Sequence, residues 1–319
     1  MNAGGPPPIG FGLWKVERDR TAALVTEAIR FGYRHLDAAS DYGNEVEAGV
    51  GIGRALAAGH CRRDDLWVTS KLWNTCHEPS RVRAACERSL ADLGLDHLDL
   101  YLVHFPIALE FVPFDERYPP GWVRDPAAET PRMHPIRVPL ADTWGAMERL
   151  VEAGLTRRIG LCNCPVGVIR ELLLQARMPP EVLQVELHPF LTQEKLLRFC
   201  REEGIAVTAF SPLGAGSYVP LGTATAAESV LEHPVVRGIA AATGRTPAQV
   251  VLRWGIQRGS SVIPKTSRLE RLAENLAAAD FVLDDAAMAA ITALDRGRRF
   301  NDPGVFCEAA FGTFFPIFD

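Results

Sequence analysis

Two rhythms of apolar residues alternate along the chain. Short, nearly continuous apolar runs suit buried strands, and each is followed by a stretch whose apolar residues recur at helical spacing. The first run covers 9–13, and 19–31 follows with Leu24, Ala28 and Phe31 on one helical face and Gly32 as the stop. The pairing repeats as a strand over 33–38 with a helix over 45–58, then a strand over 66–70 with a proline-opened helix over 79–93. A fourth strand over 98–104 leads into an aperiodic, proline-rich excursion, 105–139. Its aromatic residues Phe111, Phe114, Tyr118 and Trp122 point to a structured loop, and long loops in compact domains are commonly functional. The rhythm resumes with helix 141–153, strand 158–162, helix 166–175, strand 182–187, helix 192–203 and strand 205–210. An irregular Gly/Ala/Thr stretch runs to about 232, ahead of helices 235–243 and 246–257 and a strand over 261–264. Helices 269–278 and 284–294 come last, with a Pro- and Phe-rich tail, 299–319.

That is eight strands, each followed by a helix, in 319 residues with no composition break to mark a linker. Uninterrupted βα alternation implies a parallel sheet, and eight units imply closure into a (β/α)8 TIM barrel. The expectation is an α/β chain whose residues 1–319 form a single domain, with long loops and the C-terminal tail over the barrel mouth. The rival is an open doubly wound sheet, which should carry a Gly-x-Gly-x-x-Gly turn directly after a strand. The nearest candidate, Gly49-Val-Gly51-Ile-Gly53, has a different spacing and falls inside the helix over 45–58.

Composition narrows the partners. A net charge of −5 argues against nucleic acid, which favours a basic face, so any anion site must be a local basic cluster. The seven cysteines include no Cys-x-x-Cys pair, which points to reduced thiols in a cytoplasmic protein rather than to disulfides or structural zinc. The N-terminus lacks the basic and apolar regions of a signal peptide, and no apolar run approaches the ~18 residues of a membrane span.

Function in a barrel belongs at the C-terminal ends of the strands. Those ends carry Asp37 and Tyr42, Lys71, His104, Asn163, Glu186 and His188, Ser211 and Lys265. The first four suit acid–base work on a carbonyl. A phenol of pKa ~10 donates a proton poorly near neutral pH, and a lysine ammonium within ~4–6 Å would lower that value. The expectation is a Tyr42 brought to ~8 by Lys71, which takes roughly 2.7 kcal/mol. Asp37 would keep the ammonium charged and oriented, while His104 orients the carbonyl oxygen or relays a proton. No poised nucleophilic serine or metal-ligand spacing accompanies them, and a hydride donor fits the vacancy. Lys265, Thr266, Ser267, Arg268 and Arg271, beside a predicted helix N-terminus, suit an anionic phosphate.

Several short stretches around these strand ends read Gly10-Phe-Gly-Leu-Trp-Lys15, Gly32-Tyr-Arg-His-Leu-Asp37, Tyr42-Gly-Asn-Glu45, Ser70-Lys-Leu-Trp73 and Leu98-Asp-Leu-Tyr-Leu-Val-His104. Gln184-Val-Glu-Leu-His-Pro189, Ser211-Pro-Leu-Gly214 and Val262-Ile-Pro-Lys265 follow. Together and in this order they resemble the aldo-keto reductases along nearly the whole chain. The resemblance implies that Asp37, Tyr42, Lys71 and His104 are a catalytic tetrad with Tyr42 as proton donor. It implies NADPH over the barrel mouth, with Asn163 and Gln184 on its carboxamide and Phe210 stacked on nicotinamide where most relatives have tyrosine. Ser211, Leu213, Lys265, Thr266, Ser267, Arg271, Glu274 and Asn275 would hold the adenosine phosphate half. NADH is the alternative cofactor, with Glu274 accepting a ribose hydroxyl. Cys162 stands where a serine is usual before Asn163.

The loop after His104 and the tail motifs Arg299-Phe-Asn-Asp-Pro303 and Pro316-Ile-Phe318 are similar to those of xylose reductases. That likeness implies reduction of an open-chain aldose, D-xylose to xylitol, with Trp14, Trp73 and Phe105 as an apolar wall and Asn301 on the sugar hydroxyls. The partner would be a small-molecule aldose or aldehyde, and the protein a monomer or homodimer. The segment 267–275 also resembles plant-type aldose-6-phosphate reductases. A broad-specificity aldehyde reductase, a nucleotide-binding regulatory barrel and a metal-dependent isomerase are the remaining alternatives. The last lacks enough carboxylate and histidine ligands, since Asp37, Glu186 and His188 lie on separated strands.

Overall fold

The computed structural model describes residues 5–318. Residues 1–4 and 319, on which parts of the N-terminal and tail readings fall, lie outside the described residues. The first half runs β1 (Phe11–Gly12), α1 (Arg18–Phe31), β2 (His35–Asp37), α2 (Glu45–Ala57), β3 (Trp67–Leu72), α3 (Pro79–Leu93), β4 (Leu100–Val103) and α4 (Leu140–Glu152). It continues with β5 (Ile159–Cys162), α5 (Val166–Leu173), β6 (Val182–Glu186), α6 (Glu194–Glu202), β7 (Ala206–Phe210), α7 (Pro234–Thr243), α8 (Pro247–Gln257), β8 (Ser260–Val262), α9 (Leu269–Leu276) and α10 (Asp285–Thr292). Where the sequence predicts only an irregular tail, the chain makes α11 (Pro303–Phe306) and α12 (Glu308–Phe311).

The strands pair in parallel and in chain order from β1 to β8. The ring closes through the segment before β1: the Val262 N–H donates to Pro8 O at 2.9 Å, and the Gly10 N–H to Val262 O at 2.8 Å. This is the (β/α)8 barrel that the alternation predicts. β8 stops at Val262, short of the predicted 264, and Pro264 has no N–H to extend the ladder.

Strand parity divides the core into two layers. Leu36, Val68, Tyr101, Val103, Leu161, Leu183, Val185, Val207 and Ala209 pack outward against the helices. Trp67, Leu100, Leu102, Cys162 and Val182 fill the barrel interior, with Ala206 and Phe210 against them. Asp37, Lys71, His104 and Gln184 continue the inward parity to the C-terminal ends, so the pattern that buries the core also aims these polar groups at the mouth.

Two of the three glycines of α2 are packing devices. A Cβ on Gly49 would come within 2.5 Å of Leu93 O, and one on Gly51 within 2.6 Å of Ala22 O on α1. Gly53 has nothing within 4 Å.

The excursion after β4 is helix-free but tied down. Trp73 Nε1 donates to Gly121 O at 2.9 Å, and the Met133 N–H donates to Ala310 O on α12 at 2.9 Å. Loop and tail share a second apolar cluster built on Trp73, Phe105, Ile107, Leu109, Met133 and Cys307, which forms one side of the mouth.

Candidate active site

Lys71 enters the mouth from β3 as a fully buried ammonium, and its three protons all find acceptors. Nζ lies 2.6 Å from Asp37 Oδ1, 2.8 Å from Ala38 O and 3.1 Å from the Tyr42 hydroxyl. Asp37 is held on its other side, where Oδ2 accepts from Gln184 Nε2 at 2.6 Å. Tyr42 is delivered by a single 3-10 turn, Ser40–Tyr42, closed by Gly43 at φ 68°. His104 stands edge-on to the Tyr42 ring, with centroids 5.8 Å apart. Four side chains from three successive strand ends therefore meet at one point, as the strand-end reading expects.

The electrostatics differ from that reading. Burial pushes the Tyr42 phenol well above its ordinary 10, and the Asp37 carboxylate adds to the shift. A value near 8 counts the ammonium alone, but here Asp37 neutralises it at 2.6 Å, so the phenol faces an ion pair inside a low-dielectric wall. Desolvation, then the charges of Lys71 and His77, hold His104 well below its ordinary 6.5. At rest the site thus presents a neutral phenol and a neutral imidazole beside a buried ion pair. Both neutral groups carry a proton that can be donated.

A cleft of about 640 Å³ opens over this point and is lined from every quarter of the barrel mouth. Asp37, Tyr42, His104, Asn163, Gln184, Phe210, Ser211, Leu213, Lys265 and Arg271 reach it, as do Trp14, Trp73, Phe105 and Asn301. Lys71 lies beneath, behind Asp37 and Tyr42. Thr266, Ser267, Glu274 and Asn275 do not line it. The Thr266 hydroxyl accepts from the Arg268 N–H at 3.0 Å, closing the turn before α9, and Ser267 O accepts from Arg20 at 2.7 Å. Asn275 is buried inside α9. Glu274 Oε1 accepts from the Thr246 hydroxyl at 2.6 Å and so braces the start of α8.

Two features of the cleft fit an anionic dinucleotide. Asn163, in the left-handed region at φ 58°, gives its Nδ2 to His104 O at 2.9 Å, while its Oδ1 is buried without a partner. A buried carbonyl oxygen of this kind suits an amide N–H, and an unpaired one is costly. At the far end Lys265 and Arg271 line the cleft and Lys15 lies near Lys265, none of them with an ion-pair partner among the described residues. Desolvation and then the charge of nearby Lys265 lower the Lys15 ammonium. Lys15 Nζ also donates to Ser217 O at 2.7 Å, strapping the β1 end of the mouth to the turns after β7. Cys162 contributes little polarity: its sulfur is 3.1 Å from Asn163 Nδ2 and 3.9 Å from Gln184 Oε1.

Several lining residues escape the strand-end reading. Trp122 comes from the long loop, with its ring 4.8 Å from Trp73, and Phe306 comes from α11, 5.8 Å from Trp122. Tyr218 comes from the irregular stretch after β7 and bonds the Ser211 hydroxyl at 2.8 Å. Asp41, next to Tyr42, lines the cleft with its carboxyl pushed up to about 7 by burial. Trp122 had a sequence signal in the aromatic content of the long loop, and Asp41 in its place in the turn beside the tyrosine; Tyr218 and Phe306 had none.

A profile of the aldo/keto reductase family matches residues 8–296. The chain is 48% identical to a protein of Arthroderma otae described as a probable NAD(P)H-dependent D-xylose reductase, over 100% of this chain and 95% of that one. It is 45% identical to an NAD(P)H-dependent D-xylose reductase of Aspergillus niger, over 100% and 98% of the two chains. Among solved structures, the aldose reductase of Schistosoma japonicum superposes with a TM-score of 0.82 at 36% identity, covering 92% of this chain and 90% of that one.

Proposed function

The chain belongs to the aldo/keto reductase family, and on that premise we propose that it is an NAD(P)H-dependent reductase of open-chain aldoses, with D-xylose to xylitol as the reference reaction. The observation that carries this reading is the Tyr42–Lys71–Asp37 chain of hydrogen bonds opening on a cleft with a cationic far end. A reduced nicotinamide held against Asn163 and Phe210 would supply the hydride to the carbonyl carbon. Lys265 and Arg271 would take its phosphates. Lys265 and Arg271 suit the additional phosphate of NADPH, which is the preferred cofactor in this reading, with NADH as the alternative.

The chain's own residues manage the oxygen. As charge develops there, Tyr42 donates its proton, and the remaining phenolate is stabilised by Lys71 at 3.1 Å. Asp37, fixed by Gln184, keeps the ammonium aimed at the phenol and prevents it from swinging away. Neutral His104 gives the same oxygen a second hydrogen bond. The carbonyl gains a hydride and a proton and leaves as an alcohol.

Trp14, Trp73, Phe105, Trp122 and Phe306 would exclude water around the carbon chain, with Asp41 and Asn301 as its polar contacts. That side of the cleft contains an acid and no cation, which argues against a sugar phosphate as substrate. Residues 1–319 are taken as one catalytic domain, and the seven unpaired thiols support a reducing, cytoplasmic setting.

The test is NADPH oxidation on adding D-xylose, run beside NADH. Tyr42→Phe should lower kcat by at least about a thousandfold, within the range for removing a positioned proton donor, with NADPH binding nearly intact. Retained turnover would remove Tyr42 from the chemistry.

A further inference from the structure

We propose that Glu186 is the positioning residue that holds the sugar-facing tail in place, and that it thereby sets the preference for hydroxylated substrates over simple aldehydes. The inference rests on the reading of the cleft as an aldose reductase site.

Glu186 ends β6 and is 0% exposed. It contacts neither the tetrad nor the cleft. Instead its Oε1 accepts the Phe300 N–H and the His188 Nε2–H, each at 2.8 Å, and its Oε2 accepts the Asn301 N–H at 2.8 Å. His188 must be a donor to this carboxylate, because its Nδ1 accepts the Phe190 N–H at 3.3 Å and so carries the lone pair. A buried carboxylate satisfied by three N–H groups is a strong, directional anchor. The tail at 299–302 has no strand neighbour, and Glu186 supplies the acceptors that a strand would.

The Phe300 ring is clasped in turn. It stacks on Tyr218 with centroids 5.6 Å apart, leans on His188 at 5.2 Å, and lies under the Arg298 guanidinium at 4.6 Å. The Tyr218 hydroxyl bonds Ser211 and lies beside the Asn301 amide. Glu186 therefore fixes the Asn301 backbone, the Tyr218 hydroxyl lies beside its side-chain amide, and Asn301 is the tail's polar face on the cleft. Loosening the anchor would misplace Asn301, which matters only to a substrate with hydroxyls to meet it.

Glu186→Gln is isosteric, keeps one acceptor oxygen, and turns an NH2 toward a backbone N–H. We expect kcat/KM for D-xylose to fall about tenfold or more, chiefly through KM, as a lost charge-assisted hydrogen bond implies. The value for propanal, which has no hydroxyls, should change less than about twofold. In an Asn301→Ala background the same substitution should cost little more with xylose. Equal losses on both aldehydes, or an additive loss in that background, would overturn the inference alone. An unaltered enzyme that reduced neither aldehyde would overturn the reading of the cleft and this inference with it. Should the variant not fold, amide exchange in the unaltered chain still decides. The Phe300 and Asn301 amides should exchange at least about tenfold more slowly than those of exposed Thr313 and Phe314, and equal rates would overturn the anchor.

Discussion

Glu45 sits on α2 with its carboxyl enclosed behind the tetrad, accepting from the Ser70 hydroxyl at 2.5 Å and the Ser89 hydroxyl at 2.9 Å. Burial outweighs those bonds and pushes it up to about 7 from an ordinary 4.5. Between those values the folded state holds the proton more tightly than the unfolded chain. The group therefore contributes stability that is fully present below about 4.5 and lost as pH rises through 7, on the order of 3 kcal/mol. Buried His35 and His77, both depressed to about 4, act the other way, their contribution being lost as pH falls from 6.5. Only a difference isolates Glu45. Urea unfolding of Glu45→Gln beside the unaltered chain should show the variant gaining relative stability from pH 4.5 to 8 by roughly that amount. A difference independent of pH would mean that Glu45 does not titrate there. Which side chains meet at the mouth is legible in the sequence, because parity and strand ends place them. How their charges balance is not. Gln184 reaches Asp37 across 147 positions of sequence, and the shift at Tyr42 adds the charges of Asp37, Cys162, Asp41 and Glu45 to its burial.

Packing requires Gly51 of helix α2 but not Gly53, and substitution separates them. Gly51→Ala would press a Cβ to 2.6 Å from Ala22 O and 2.7 Å from Val25 Cβ. It should lower stability by about 1–3 kcal/mol, the usual cost of overpacking, as α1 and α2 are forced apart. Gly53→Ala meets nothing and faces solvent, so it should raise stability by about 0.5–1 kcal/mol through helix propensity. Denaturation midpoints of the two variants should move in opposite directions, and a shift of the same sign would refute the packing account. The periodicity places this helix well, because its buried Ala48, Ile52 and Ala55 recur at helical spacing. It is silent on α11, α12 and the inward turn of Trp122, which form through contacts between loop and tail and not through any local pattern.

Across the whole molecule, the alternation of runs and amphipathic stretches was enough to read the barrel, since each βα unit repeats one local rule. Closure is the least local step, made by residues 8–10 against β8. The long loop and the tail, joined at Met133 and Ala310, complete the mouth outside that rule. The seven cysteines, all unpaired, are spread over this architecture: Cys76 and Cys86 by β3 and α3, Cys162 and Cys164 at the end of β5, Cys200 in α6 and Cys307 in the tail, all buried, with Cys61 half-buried. Burial also raises every one of these thiols, to about 11 at Cys76 and about 12 at Cys86, Cys200 and Cys307. A thiol reagent should therefore consume at most one equivalent quickly, at Cys61, and the other six only as the chain opens. Two fast equivalents would contradict that burial. Mapped by mass, the slow labels become clocks set in separate parts of the barrel, and their order of modification would report which part of the wall breathes first.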